Sequence, residues 1–216
     1  MPANSKTYYA TICRLLNAED TTRIELEPNS IMLGTPFELT QEHRVNARGK
    51  EYERVIVHDS TRRVAGFLPK DVTNRVIRLF DEGWLCHVVP MLIGYSKKDK
   101  AYWVEASVVC YPPEHKQELD TFFSAFCRKV AAGEHPDPRL TDKQLELVLE
   151  SGGTWCEVDI APRPKLDRDN AIYKSRQTNT EKLAQTAIAH TTGCYIVLAV
   201  VTLLVAAFVV WLLFLR

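Results

Sequence analysis

The sequence has no surplus of either charge, no clustered cysteines and no paired histidines. Before residue 193, Lys and Arg number 26 against 27 Asp and Glu. That balance excludes the broad basic excess of a non-specific nucleic-acid binder, so any such binding has to rest on a local patch. Six cysteines stand at 13, 86, 110, 127, 156 and 194, and none makes a CxxC pair. Six histidines, at 43, 58, 87, 115, 135 and 190, form no HxxxH or HExxH. A zinc signature is therefore missing. Cys86 and Cys110, inside Trp84-Leu85-Cys86 and Val108-Val109-Cys110, read as small core residues. Reduced thiols suit a cytosolic face. GxSxG, Walker, GxGxxG and EF-hand patterns are absent too, and no internal repeat is found. His58 and Asp59 could form an acid/base pair, but neighbours on a strand end point apart. Nothing assembles a nucleophile, a base and an orienting group. The expectation is a protein without enzymatic activity, cofactor or metal.

What the sequence does have is Gly193 to Leu215, GCYIVLAVVTLLVAAFVVWLLFL, 23 residues without a charge. A helix rising about 1.5 Å per residue reaches roughly 34 Å over that length, enough for a hydrocarbon core of about 30 Å. A water-soluble helix would need a polar face, and this stretch offers none. It lies at the wrong end for a signal peptide. Only Arg216 follows, whereas 163–192 carries six basic residues (Arg163, Lys165, Arg168, Lys174, Arg176 and Lys182) against three acidic ones. Basic flanks favour the cytoplasmic side, so a single-pass C-terminal anchor with a cytoplasmic N-terminal domain is expected. The strip also suits anionic lipid, or equally a solvated linker. Cys194, at the boundary, is either an interfacial cysteine or an acylation site.

Residues 1–111 read mainly as strands. Tyr8 to Leu16 is β-rich, and Arg23-Ile24-Glu25-Leu26-Glu27 alternates before a turn at Pro28-Asn29-Ser30. Residues 35–50 are polar and read as loop. Arg54 to His58 is a strand, and Arg63 to Leu68 its hairpin partner across Asp59-Ser60-Thr61. Pro69-Lys70-Asp71 opens a helix with Val72, Val76, Ile77, Leu79 and Phe80 on one face, ended by Gly83. Trp84 to Tyr95 and Ala101 to Tyr111 form a long hairpin, and Pro112-Pro113 marks a boundary.

Residues 112–162 are mostly helical and carry a net charge of −5, from 5 basic and 10 acidic residues. Leu119, Phe122, Phe123, Phe126 and Val130 form a stripe stopped at Gly133. Thr141 with Gln144 makes a capping box for a helix running to Gly152-Gly153. Trp155 to Ile160 alternates like a short strand. These helices are too few for an independent bundle and should pack on the β unit. Residues 163–192 read as a polar basic linker, with a juxtamembrane helix over 178–189.

The order of strands, the step Gly66-Phe67-Leu68-Pro69-Lys70 into an amphipathic helix, and the closing hairpin resemble the HIRAN domain over about residues 7–111. The resemblance implies a small β-barrel-like, OB-related module with packed helices, and a ligand that is the 3′ end of single-stranded DNA. It implies a pocket of Lys70 at the helix start, Tyr102 on the last hairpin, Phe67 at the strand end, and Asn29 from the Glu27-Pro28-Asn29 turn. A cation and an amide would meet phosphate and sugar, and an aromatic face the base. The chain departs from the family where paired aromatics give way to Leu15 and Leu16. It departs again where Ile31-Met32-Leu33-Gly34 and a polar insertion follow the turn. Barrel core is the competing reading for Phe67, Tyr102 and Leu16, and a solvated helix end for Lys70.

The expectation is thus an α+β chain: a HIRAN-like domain at 1–111, a helical extension at 112–162, a linker at 163–192 and a transmembrane helix at 193–215. Its expected partners are a lipid bilayer and a single-stranded nucleic-acid end. The alternative is a membrane-tethered protein adaptor with a cytosolic protein partner.

Overall fold

The aliphatic and aromatic side chains along the hairpin runs and the helix stripes must leave water, and the fold hides them on two sides of one sheet. A computed structural model describes residues 7–16, 31–45, 47–60 and 62–172. These residues form an α+β structure with a curled, half-barrel antiparallel sheet and three helices. In chain order, β1 is Tyr9–Arg14, β2 Glu38–Val45, β3 Glu51–His58 and β4 Val64–Phe67. Helix α1 is Lys70–Asp81, followed by the hairpin of β5, Leu85–Ser96, and β6, Ala101–Tyr111. Helices α2, Lys116–Ala132, and α3, Asp142–Glu150, precede β7, Asn170–Ile172.

The strands pair antiparallel in the orders β1-β6-β5-β7 and β2-β3-β4. Two contacts join the sheets. Leu16 and Phe67 exchange backbone hydrogen bonds of 2.8 and 2.9 Å, and the Phe37 N–H donates to the Val88 carbonyl at 2.7 Å. The end of β1 thereby meets β4, and the approach to β2 meets β5. Gly66 (φ +151°) sits at the first of these contacts, where a Cβ would fall 2.9 Å from Leu15 Cβ and from the Leu16 carbonyl. The glycine of the Gly66-to-Lys70 step is thus needed for the close approach of two strands.

Strand alternation divides the interior. Val88, Ile93, Val104, Ala106, Val108 and Cys110 face a core shared with α1 and with Val55 and Val57 of β3. Val89, Met91, Val109 and Tyr111 face the other way, onto Leu119, Phe122, Phe126 and Val130 of α2 and Leu145 and Val148 of α3. The four-stranded sheet is therefore covered on both faces, which is why β5 and β6 read as nearly continuous apolar runs. The capping box forms as read: the Thr141 hydroxyl accepts from the Gln144 N–H at 3.3 Å, and the Gln144 side chain accepts from the Thr141 N–H at 2.9 Å.

Two expectations need correction. Residues 35–50 are not a loop, because Glu38–Val45 is a strand paired along its length with β3. Its polar side chains find cross-strand partners: Glu42 with Arg54 at 2.5 Å, Thr40 with His58 at 2.8 Å and Gln41 with Glu53 at 3.3 Å. Second, 155–160 forms no strand. Trp155, Cys156 and Val158 pack on the α2–α3 cluster, and only Ile160 makes an isolated bridge, to Pro136. The apolar face of α1 forms as read, with Phe80 half-buried against the core, and Thr73, whose hydroxyl donates to the Leu68 carbonyl at 3.0 Å, joins it. Within the stretch read as linker, Asn170–Ile172 adds a strand beside Gly94–Ser96.

The expected strand at 23–27, the turn at 28–30 with Asn29, the helix at 178–189 and the span at 193–215 lie outside the described residues. Among the described residues no helix is long and apolar enough to cross a membrane.

Candidate nucleic-acid interface

The pocket residues implied by the resemblance do not share one face. Tyr102 lies on the α1 side of β6, half-buried against the core, with Tyr95 directly opposite on β5. The two rings meet at 4.9 Å and 59°. Phe67 is buried and points the other way. Its register partner Ile56 alternates with the core residues Val55 and Val57, and the Arg54 guanidinium carbon sits 4.2 Å over its ring. Phe67 is therefore buried outside both core clusters, with Arg54 over its ring. Lys70 is exposed as the first residue of α1, two positions after the core residue Leu68. Asn29 lies outside the described residues.

What the fold brings together instead is the closed end of the β5–β6 hairpin. Ser96 and Asp99 fix the turn: the Ser96 hydroxyl donates to Asp99 Oδ2 at 2.7 Å and accepts the Asp99 N–H at 3.2 Å. Lys97, Lys98 and Lys100 are exposed around it, directly beyond the Tyr95–Tyr102 pair. The Lys97 N–H donates to the Asp169 carbonyl at 2.5 Å, which brings the chain entering β7 to the same corner.

The outer face of this end carries Arg14 and Trp103. The Arg14 guanidinium carbon lies 4.5 Å from the Trp103 ring centroid. Burial holds the Arg14 guanidinium below its usual pKa range, opposed by the charge of Asp99. The indole covers Gly94, where a Cβ would fall 2.0 Å from the ring. Tyr95, the three lysines, Arg14 and Trp103 were not among the candidate residues read from the sequence. One signal was present: Tyr95 and Tyr102 are equidistant from the centre of a four-residue turn.

A second polar cluster joins β5, β6 and α2. The Tyr111 hydroxyl donates to Asp120 Oδ1 at 2.5 Å and accepts from His87 Nε2 at 2.9 Å, while Lys116 pairs with the other Asp120 oxygen. His87 lies between the rings of Tyr111 and Phe123, at 5.3 and 5.0 Å. Burial lowers the His87 pKa, which keeps the imidazole neutral and donating from Nε2. The cluster balances its own charge and holds α2 to the sheet. Among the described residues no group of three His, Cys, Asp or Glu side chains is placed to hold a metal ion.

No protein-family model matches this chain, and neither does any curated protein or any solved structure.

Proposed function

We propose that the chain is a membrane-tethered cytosolic recognition module, HIRAN-like in its barrel, that receives the end of a single-stranded nucleic acid at the closed end of the β5–β6 hairpin. The observation that carries this reading is the half-buried Tyr95–Tyr102 pair bordered by exposed Lys97, Lys98 and Lys100. An aromatic platform beside cations is what sequence-tolerant recognition of a single strand needs, because every base has a π-face and every linkage a charge. The curled sheet with a helix on one side agrees with the resemblance, and Lys70 supplies a further exposed cation. The span at 193–215 supplies the tether, and the basic strip before it the orientation.

The test is fluorescence anisotropy with labelled single-stranded oligonucleotides, using the full-length chain in nonionic detergent. The wild type should prefer a free 3′ end over a blocked one, and its affinity should fall with salt. Tyr95→Ala with Tyr102→Ala should remove that preference, since each stacked base contributes about 1–3 kcal/mol. Absence of any binding at low salt would leave the protein-adaptor reading, with the acidic α2–α3 region as the docking surface.

A further inference from the structure

Trp103 is only 5 % exposed, yet its Nε1–H meets no acceptor among the described residues. Buried donors in native proteins are almost always paired, so an orphan of this kind calls for a reason. The ring cannot tilt to find a partner. Gly94 lies against one face, so close that a Cβ there would fall 2.6 Å from Nε1 itself. The Arg14 guanidinium carbon lies 4.5 Å from the ring centroid. The indole is thus held against the Gly94 backbone beside the Arg14 cation, on the side of β6 that also presents Val109 and Tyr111.

Arg14 is equally short of acceptors. Its guanidinium carbon lies over the indole, and none of the guanidinium N–H groups is hydrogen-bonded among the described residues. Glu105, opposite Arg14 in the β1–β6 register, is bonded instead to His135 at 2.9 Å. No carboxylate forms an ion pair with Arg14 among the described residues. Among the described residues these two neighbouring donors make no hydrogen bond and no ion pair, although the charge of Asp99 acts on Arg14 from the hairpin turn. A ligand that satisfies both must present acceptors only, which is the property of an oxyanion.

We infer that Arg14 and Trp103 form an oxyanion subsite, in which one oxygen accepts the Trp103 Nε1–H and the Arg14 guanidinium edge holds the same group. The inference rests on the nucleic-acid reading for its ligand class: the oxyanion is a backbone phosphate of the strand. Trp103 and Tyr102 are chain neighbours on opposite faces of β6, so a strand with its end base at the tyrosine pair would pass around the lysine turn to reach the subsite.

The indole N–H resonances report on this directly. The full-length chain in nonionic detergent, labelled with 15N at tryptophan, gives four such signals, from Trp84, Trp103, Trp155 and Trp211. The signal lost in Trp103→Phe assigns Trp103. Inorganic phosphate, added against a sodium chloride control of equal ionic strength, should move the Trp103 signal downfield and leave the other three in place. A single-stranded oligonucleotide should move it at lower concentration. Arg14→Ala, at an exposed position, should raise the half-shift concentration of phosphate about tenfold. A Trp103 signal that neither probe moves, or that moves equally in Arg14→Ala, overturns the subsite. A phosphate response with no oligonucleotide binding keeps the subsite and overturns the nucleic-acid reading. Oligonucleotide binding of unchanged affinity in both variants keeps that reading and overturns the subsite.

Discussion

His135 Nε2 lies 2.9 Å from Glu105 Oε1, while its Nδ1 faces the Ala161 carbonyl at 3.0 Å. A carbonyl can only accept, so Nδ1 carries a proton, and the Nε2–Oε1 bond requires a second one. The hydrogen bond to Glu105 raises the His135 pKa above its usual value, against the opposing effect of burial, with the Ala161 carbonyl adding to the rise and Arg163 opposing it. Asp137 also faces the ring. Folded, the site keeps its proton to a higher pH than the unfolded chain, whose histidine titrates at about 6.5. The stabilisation is therefore complete below about pH 6.5 and is lost as pH rises through the folded value. Denaturant unfolding of the full-length chain should show stability falling as pH rises above about 6.5. In Glu105→Gln the amide can donate to a neutral imidazole, so that slope should flatten. A slope unchanged in Glu105→Gln would assign the pH dependence to other groups.

The apolar face of α1 gives a graded prediction. Leu79 is 1 % exposed, whereas Phe80 is half-buried at the core's margin. Leu79→Ala should cost about 2–5 kcal/mol, the range for fully buried aliphatic side chains. Phe80→Ala should cost about half the full-burial value, roughly 1.5–2.5 kcal/mol. Urea unfolding of the two variants tests the order, and a larger loss at Phe80 would mean that the helix is rotated from the orientation described.

Most of the scaffold was legible in the sequence because its elements carry their own periodicity. The β5–β6 runs, the α1 and α2 stripes and the Thr141–Gln144 box each specify one local structure. What escaped depends on partners distant in sequence. Strand β2 looks like loop until Arg54, Glu53 and His58 are set opposite Glu42, Gln41 and Thr40. Residues Asn170–Ile172 become a strand only through Tyr95 and its neighbours. The candidate site was legible in part. Tyr102 could be chosen by analogy, but the face that Phe67 takes follows from the Leu16–Phe67 bridge. The stack of Arg14 on Trp103 depends on Arg14 standing opposite Glu105, two residues along β6. Neither relation leaves a mark in local sequence.

Gly94 tests how firmly that stack is held. A methyl group there would fall 2.0 Å from Cε2 and Cζ2 of Trp103, so the ring must move. Gly94→Ala should destabilise the fold by about 1–3 kcal/mol, as overpacking of a close contact does. It should also expose the indole to acrylamide quenching. Wild-type stability and quenching in Gly94→Ala would show that the ring does not lie on the backbone at Gly94.

The proposed membrane tether rests on 193–215 alone, 23 uncharged residues whose insertion two charges should prevent. On insertion scales an arginine at mid-span costs about 2.5–3.5 kcal/mol, so two together should outweigh the gain from the flanking Leu and Val residues. Val205→Arg with Ala206→Arg should move the protein from the membrane to the supernatant after carbonate extraction, and so should removal of 193–216. The basic strip sets the second expectation: protease added to sealed cells should leave residues 1–192 intact, because Arg163 to Lys182 favours the cytoplasmic side. Retention of the double-arginine variant in carbonate-washed membranes would place the tether elsewhere in the chain. Digestion of the N-terminal domain from outside would reverse the orientation, and with it the access to nucleic acid on which the recognition reading depends.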